Sequence, residues 1–248
     1  MDGGRIVDAA LVGNALRQVL ARAEITSTRA LIAASDTIAS FRVLTFPGGT
    51  SDADVDATVK GQLPSTHDRL AIRRVDVLRG GPERTVYATV WDRNQVRLIA
   101  DAASHAGLEP AVVDLKSMCI SRAVGQPNCL VIDMLSHPVE VILIVEHIPR
   151  VWHTFSTGTP DGDLAAALAT GLKPVLTFDR KVRGSGVPAA FPIVIRSEQM
   201  LPGRMATRLE ELSGGHPVQP VPAPPRVDPE LRYTPYLACV GLVMRRRS

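Results

Sequence analysis

The sequence predicts a mixed α/β protein that carries an α+β insert of subdomain size. Three observations lead there. Along the 248 residues, apolar positions switch repeatedly between helical and strand-like spacing. The stretch from Ser51 to Val113 reads helix, strand, strand, helix, strand. The second half then opens on three short apolar runs close enough to form a meander: Cys129 to Met134, Val139 to Val145 and Arg150 to Phe155. The length suits one large domain or two of ordinary size.

Each element has its own signal. Val7, Leu11, Val12, Ala15, Val19 and Leu20 recur at helical spacing, so residues 7–23 form an amphipathic helix with these side chains as one buried stripe. Two β-like runs follow, Arg29 to Ala33 and Phe41 to Phe46, and Pro47-Gly48-Gly49 breaks the chain. Ser51 with Asp54 three residues on announces a helix that aligns Val55, Val59 and Leu63 and stops at Pro64. Leu70 to Leu78 and Thr85 to Trp91 are strands joined by a hairpin loop at Arg79-Gly80-Gly81-Pro82. Asp92 is an N-cap with Gln95 as its capping-box partner; the helix it opens turns Val96, Ile99, Ala100 and Ala103 inward and ends at a left-handed Gly107. A short helix runs from Leu115 to about Ala123.

Beyond the meander, Asp161 to Ala169 is helical, Leu172 to Phe178 is ambiguous, and Arg183-Gly184-Ser185-Gly186 is a loop. Pro192 to Ile195 is a short buried strand, and Leu201, Met205, Leu209 and Leu212 mark another helix. Between His216 and Pro229 the prolines allow only extended or polyproline backbone, a stiff crossover. Tyr236 to Met244 is apolar and reads as a buried helix; Arg245, Arg246 and Arg247 complement its dipole, with contact to an anionic membrane surface as the alternative.

Composition narrows the function classes. A net charge of +3 is too small to argue for a nucleic-acid partner, and no run approaches the roughly 18 apolar residues of a membrane span. Met1 to Gly4 lacks the basic head and apolar run of an export signal. Cys119, Cys129 and Cys239, far apart in apolar runs, read as buried reduced thiols and place the protein in the cytoplasm. His137, His147 and His153 lie on a meander where their side chains need not converge, so no metal site is expected. Asp133, Ser136 and His137 are too close in sequence to line up as nucleophile, base and orienter. Gly184 and Gly186 lack the strand and helix of a dinucleotide fingerprint.

Four local patterns carry a family resemblance. They are Asp2-Gly3-Gly4-Arg5-Ile6-Val7-Asp8 before the first helix, Ala30-Leu31-Ile32-Ala33 through Phe46-Pro47, Ser104-His105-Ala106-Gly107-Leu108-Glu109-Pro110 running on to Asp114, and Tyr236-Leu237-Ala238-Cys239-Val240-Gly241-Leu242 running on to Arg245. Together they resemble the PilM family of type IV pilus assembly proteins, actin-like and related in fold to the division protein FtsA. The resemblance implies an actin-like, ribonuclease H-like core of two lobes. Residues 1–127 would form the first lobe, with an inserted subdomain at about 48–112 and the last helix, 236–247, returning to it. Residues 128–235 would form a reduced second lobe.

Actin-like ATPases grip phosphate with two β-hairpins whose turns need glycine and free backbone amides. The corresponding turn here is Asp133, Met134, Leu135, Ser136, with Leu135 in place of glycine and Pro138 lacking an amide. The first hairpin is expected to be missing, leaving a sheet edge for a partner or a second copy to cover. The adenosine-binding Gly-Gly is replaced by Arg196-Ser197-Glu198-Gln199. The resemblance therefore implies a pseudo-ATPase scaffold with no catalytic residues, no metal and no cofactor, ATP binding not being expected. Its place is the cytoplasm, peripheral to the inner membrane through its partners. The expected partner is an inner-membrane pilus assembly protein with a PilN-like tail, seated in a groove that includes Leu11, Phe41, Val43 and Phe46; an assembly ATPase and self-association are further candidates. An active actin-like ATPase, or the equivalent component of a type II secretion or cell-division complex, stands as the alternative.

Overall fold

A computed structural model of the protein describes residues 5–62, 69–78, 81–158, 163–183, 186–198, 201–224, 227–228 and 230–245. The expectations resting on Met1 to Gly4, Leu63, Pro64, Arg79, Gly80, Asp161, Gly184, Ser185, Gln199, Pro229, Arg246 and Arg247 lie outside the described residues. The chain divides into two compact units, Met1–Lys116 and Ser117–Ser248. That division falls upstream of the lobe boundary expected at residue 127, and the C-terminal helix lies in the second unit.

In the first unit Asp8 caps α1 (Ala9–Arg22), accepting from the Leu11 amide at 2.9 Å. α1 packs against α3 (Arg93–His105) through Gly13, where an added Cβ would sit 2.4 Å from the His105 Cβ and 2.6 Å from the Ala102 carbonyl oxygen. This approach turns Val12, Leu16 and Leu20 towards partial burial and leaves Val7, Leu11 and Val19 exposed. The buried stripe expected from the sequence is thereby corrected. Apolar side chains occupy two adjacent faces of α1, and the face that carries the glycine is the one that meets a neighbour.

β1 (Arg29–Ala34) pairs in parallel with β5 (Glu109–Leu115). β2 (Ala39–Pro47), β4 (Glu83–Asp92) and β3 (Leu70–Leu78) form an antiparallel sheet in the order β2-β4-β3. α2 (Asp52–Gly61) covers one face, burying Val55 and Val59 against Val86 and Ala88, with Leu44, Phe46 and Ile72 around them. β2, expected ahead of the insert, is thus hydrogen-bonded into the insert's own sheet. Asp92 caps α3 by accepting from Asn94 at 2.9 Å and Gln95 at 3.4 Å. The capping box is not completed: the buried Gln95 side chain instead grips the Ile6 backbone, accepting from its amide at 3.1 Å and donating to its carbonyl at 3.3 Å. Gly107 has the left-handed φ of +83° expected of it.

The second unit is built on one five-stranded sheet of order β10-β9-β6-β7-β8. β6 (Cys129–Asp133), β7 (Val139–Val145) and β8 (Ile148–Phe155) form the expected antiparallel meander. β9 (Ile193–Arg196) and β10 (Val218–Pro220) extend it in parallel. α5 (Leu164–Arg183) and α6 (Gly203–Ser213) cover one face through Leu168, Leu172, Val175 and Leu209. α4 (Lys116–Val124) and α7 (Leu237–Val243) cover the other through Ile120, Ala123, Val124 and Leu237. Cover on both faces explains why β6, β7 and β9 are buried at every position.

Three expectations are revised in this unit. Leu172 to Phe178 is helical, continuing α5 through Pro174. The proline-dense stretch contributes β10, because Ile193 donates to the Pro217 carbonyl at 2.7 Å and pulls the extended chain into register. Cys119 and Cys129 are buried, but Cys239 is exposed, on the side of α7 away from α4. α7 approaches α4 so closely at Gly241 that a Cβ there would lie 1.7 Å from the Cys119 carbonyl oxygen.

Candidate functional site

β6 ends at Asp133, which is fully buried, and the chain turns through Met134, Leu135, Ser136 and His137 into β7. Asp133 organises this turn. Its carboxylate accepts from the Leu135 amide at 3.1 Å and the Ser136 hydroxyl at 3.0 Å, a local pattern that suits aspartate at a turn. The second oxygen also receives the Arg196 guanidinium, Nη1 to Oδ2, at 2.5 Å. Sheet register delivers this arginine, since Arg196 is the position paired with Asp133 where β9 runs parallel to β6.

Arg196 is itself buried and committed on its other nitrogens. Nε donates to the Thr234 carbonyl at 2.8 Å and Nη2 to the Pro235 carbonyl at 2.5 Å. A guanidinium shared between one carboxylate and two carbonyls is a closed arrangement, stable only while each partner stays. The turn amides are engaged as well, Met134 donating to the Arg196 carbonyl at 2.9 Å and Leu135 to Asp133. Phosphate binding relies on free backbone donors and an unpaired positive charge; here the Met134 and Leu135 amides and the Arg196 guanidinium all have internal partners. The Leu135 side chain lines an open cavity of about 690 Å³ with Met134, His137, Leu164, Leu201 and Met205.

Sequence reasoning identified the turn but missed its ion pair. Arg196 entered only as a replacement for glycine, although a lone arginine closing the apolar run Ile193-Val194-Ile195 is itself a signal that a buried charge must find a partner.

The four expected groove residues are not all brought together. Phe41 and Val43 share one face of β2; the Phe41 ring stacks on Tyr87 with centroids 5.9 Å apart, and Val43 is paired with Tyr87 in the sheet. Burial, chiefly, pushes the Tyr87 hydroxyl above its ordinary pKa. Phe46 points to the opposite face and packs into the core beneath α2, so its place in the groove is corrected. The reason is the two-residue period of a strand, which puts positions 41 and 46 on opposite sides. Leu11 stands on the exposed side of α1, 66 % accessible. No described helix is long and apolar enough to cross a membrane.

No protein-family model matches the sequence, and no curated protein does. Solved structures do. The chain superimposes on the structure titled PilM-PilN type IV pilus biogenesis complex with a TM-score of 0.67 at 18% identity, covering 98% of this chain and 87% of that one. It also matches the cytoplasmic domain of EpsL, an inner membrane component of the type II secretion system of Vibrio cholerae. There the TM-score is 0.54 at 11% identity, covering 95% of this chain and 82% of the other. The actin-like fold of the PilM type, expected from the sequence, is the fold of this chain.

Proposed function

We propose that this protein is a non-catalytic scaffold of a type IV pilus-like assembly machine, a pseudo-ATPase that holds a short peptide tail of an inner-membrane partner at the cytoplasmic face. The observation that carries the non-catalytic half is the closed Asp133–Arg196 pair, which leaves the phosphate turn without an unengaged cation or amide at Met134 and Leu135. Calorimetry with ATP and magnesium tests it. No saturable heat is expected; saturable binding would overturn this reading in favour of an active actin-like ATPase.

The fold match to a protein solved in complex with PilN supports the partner half. The apolar surface offered to such a tail is Phe41 and Val43 beside Tyr87, and Leu11 on α1, with Phe46 excluded because it belongs to the core. Titrating PilN-like tail peptides against the wild type and Phe41→Ser tests this assignment. Binding at micromolar concentration that the variant loses is expected, and no binding at high micromolar concentration would refute it. The likeness to EpsL supports a second reading, the equivalent component of a type II secretion machine. Tails of that system's membrane proteins, titrated in parallel, separate the two. Contacts with an assembly ATPase and with a second copy of the chain complete the proposal; sedimentation of the protein alone and with the ATPase tests both.

A further inference from the structure

α7 carries no polar or charged side chain from Leu237 to Val243 other than the Cys239 thiol, yet it is not enclosed. One side is fixed: Leu237, Gly241 and Leu242 are buried, and the Arg122 guanidinium holds the helix by donating from Nε to the Gly241 carbonyl at 2.9 Å. The other side presents Tyr236, Cys239 and Val243, which fall along one line because helix neighbours three and four positions apart share a face. Tyr236 is 63 % and Val243 74 % exposed. A surface helix ordinarily turns polar side chains to water; one that is apolar all round is built to be covered all round.

Charge decides what the cover is. From Leu231 to Ser248 the sequence holds Arg232, Arg245, Arg246 and Arg247 and no aspartate or glutamate. Leu231 and Arg232, just ahead of α7, are exposed as well. An apolar helix face set in a basic, acid-free stretch complements a surface that is anionic outside and apolar beneath, which describes acidic lipid headgroups over their acyl chains. A tyrosine suits that boundary, with an apolar ring and a polar tip. A second copy of the chain, related by a twofold axis, would bring the same arginines against the same face, like charge on like. Seven residues make a helix about 10 Å long, a length that lies in a headgroup layer and does not cross it.

We propose that the open face of α7, with the basic run after it, rests on the surface of an anionic lipid bilayer. Tyr236, Cys239 and Val243 enter the headgroup layer, and the basic run binds headgroup phosphates. Each arginine near such a surface strengthens binding about fivefold, so the contact is reversible by itself. It gains from a partner tail that already holds the protein beside lipid, because the second contact then forms at high local concentration. It shares with the reading above only the place at a membrane; its residues lie in the second unit and those assigned to the tail in the first, so either can fail alone.

The test uses the whole chain with no tail peptide. Vesicles of equal parts phosphatidylglycerol and phosphatidylcholine sediment the protein, vesicles of phosphatidylcholine alone do not, and salt releases it by screening. Val243→Ser, at an exposed position, keeps the urea midpoint and weakens binding about fivefold. Arg246→Ser with Arg247→Ser weakens it about twentyfold. The face itself is read through Cys239, whose alkylation by iodoacetamide slows when anionic vesicles are added and not when neutral ones are. Four results overturn the proposal: no sedimentation with anionic vesicles, equal sedimentation with neutral ones, an unchanged Cys239 rate on bound protein, or a dimer in the absence of lipid that Val243→Ser breaks. The third would place the lipid contact on another face, and the fourth would make a second copy the cover.

Discussion

Replacing Arg196 by methionine tests the closed turn directly. The substitution keeps an unbranched side chain in place and removes the charge that neutralises a carboxylate with no solvent exposure. Removing one member of a buried ion pair costs about 3–5 kcal/mol. The Leu135 amide and Ser136 hydroxyl remain on Asp133 and relieve part of that cost, while the Thr234 and Pro235 carbonyls lose donors at about 1 kcal/mol each. Thr234 is half-buried and Pro235 exposed, so water takes up much of the second loss, and the expected total is about 4 kcal/mol. Asp133→Asn keeps the shape and local acceptor and costs about 2 kcal/mol. If the two groups act as a pair, the double variant costs about 4 kcal/mol where additivity would require about 6. Urea unfolding monitored by Trp152 in a Trp91→Phe background isolates the second unit, since these are the protein's two tryptophans and Trp91 lies in the first unit. A loss below about 1 kcal/mol for Arg196→Met, or additive single effects, would refute the reasoning.

Gly241→Ala forces α7 away from α4, because the new methyl meets the Cys119 carbonyl oxygen, and a loss of about 1–3 kcal/mol in the same urea assay is expected. Leu11→Ser, at a side chain 66 % exposed, leaves the urea midpoint unchanged and weakens tail binding. Iodoacetamide at mildly alkaline pH modifies Cys239 alone, since Cys119 and Cys129 are buried and burial pushes the Cys129 thiol up to about 12; mass spectrometry locates the adduct. The Arg208 guanidinium first, and the Ala166 amide second, hold the Asp163 carboxyl below its usual 3.8. A carboxyl lowered in the folded state contributes stability above that value and loses it as pH falls towards the folded-state value, so Asp163→Asn flattens the acid limb of the stability profile.

Much of the architecture was readable because its causes are local. The strand Leu70–Leu78 matches the sequence expectation end to end, Ser51 and Asp92 cap the helices they announce, and Gly107 takes the conformation its place demands. The turn at Asp133 was also readable, since an apolar run ends there and Pro138 precedes the next one. The split of the groove residues was legible in principle, because position 46 has the opposite strand parity to 41 and 43.

Periodicity, caps and turn residues act within a few positions, so the sequence alone determined the kind of most elements and where the turn after Asp133 falls. It did not determine which face of an element is buried or which distant group answers a buried charge. The face of α1 that packs was decided by Gly13 against α3, the occupation of Gln95 by the Ile6 backbone, and the capture of Asp133 by an arginine 63 residues away through the pairing of β6 with β9. Each depends on surfaces that meet only after the chain has folded, and packing and register rank those surfaces by fit, which no local pattern encodes.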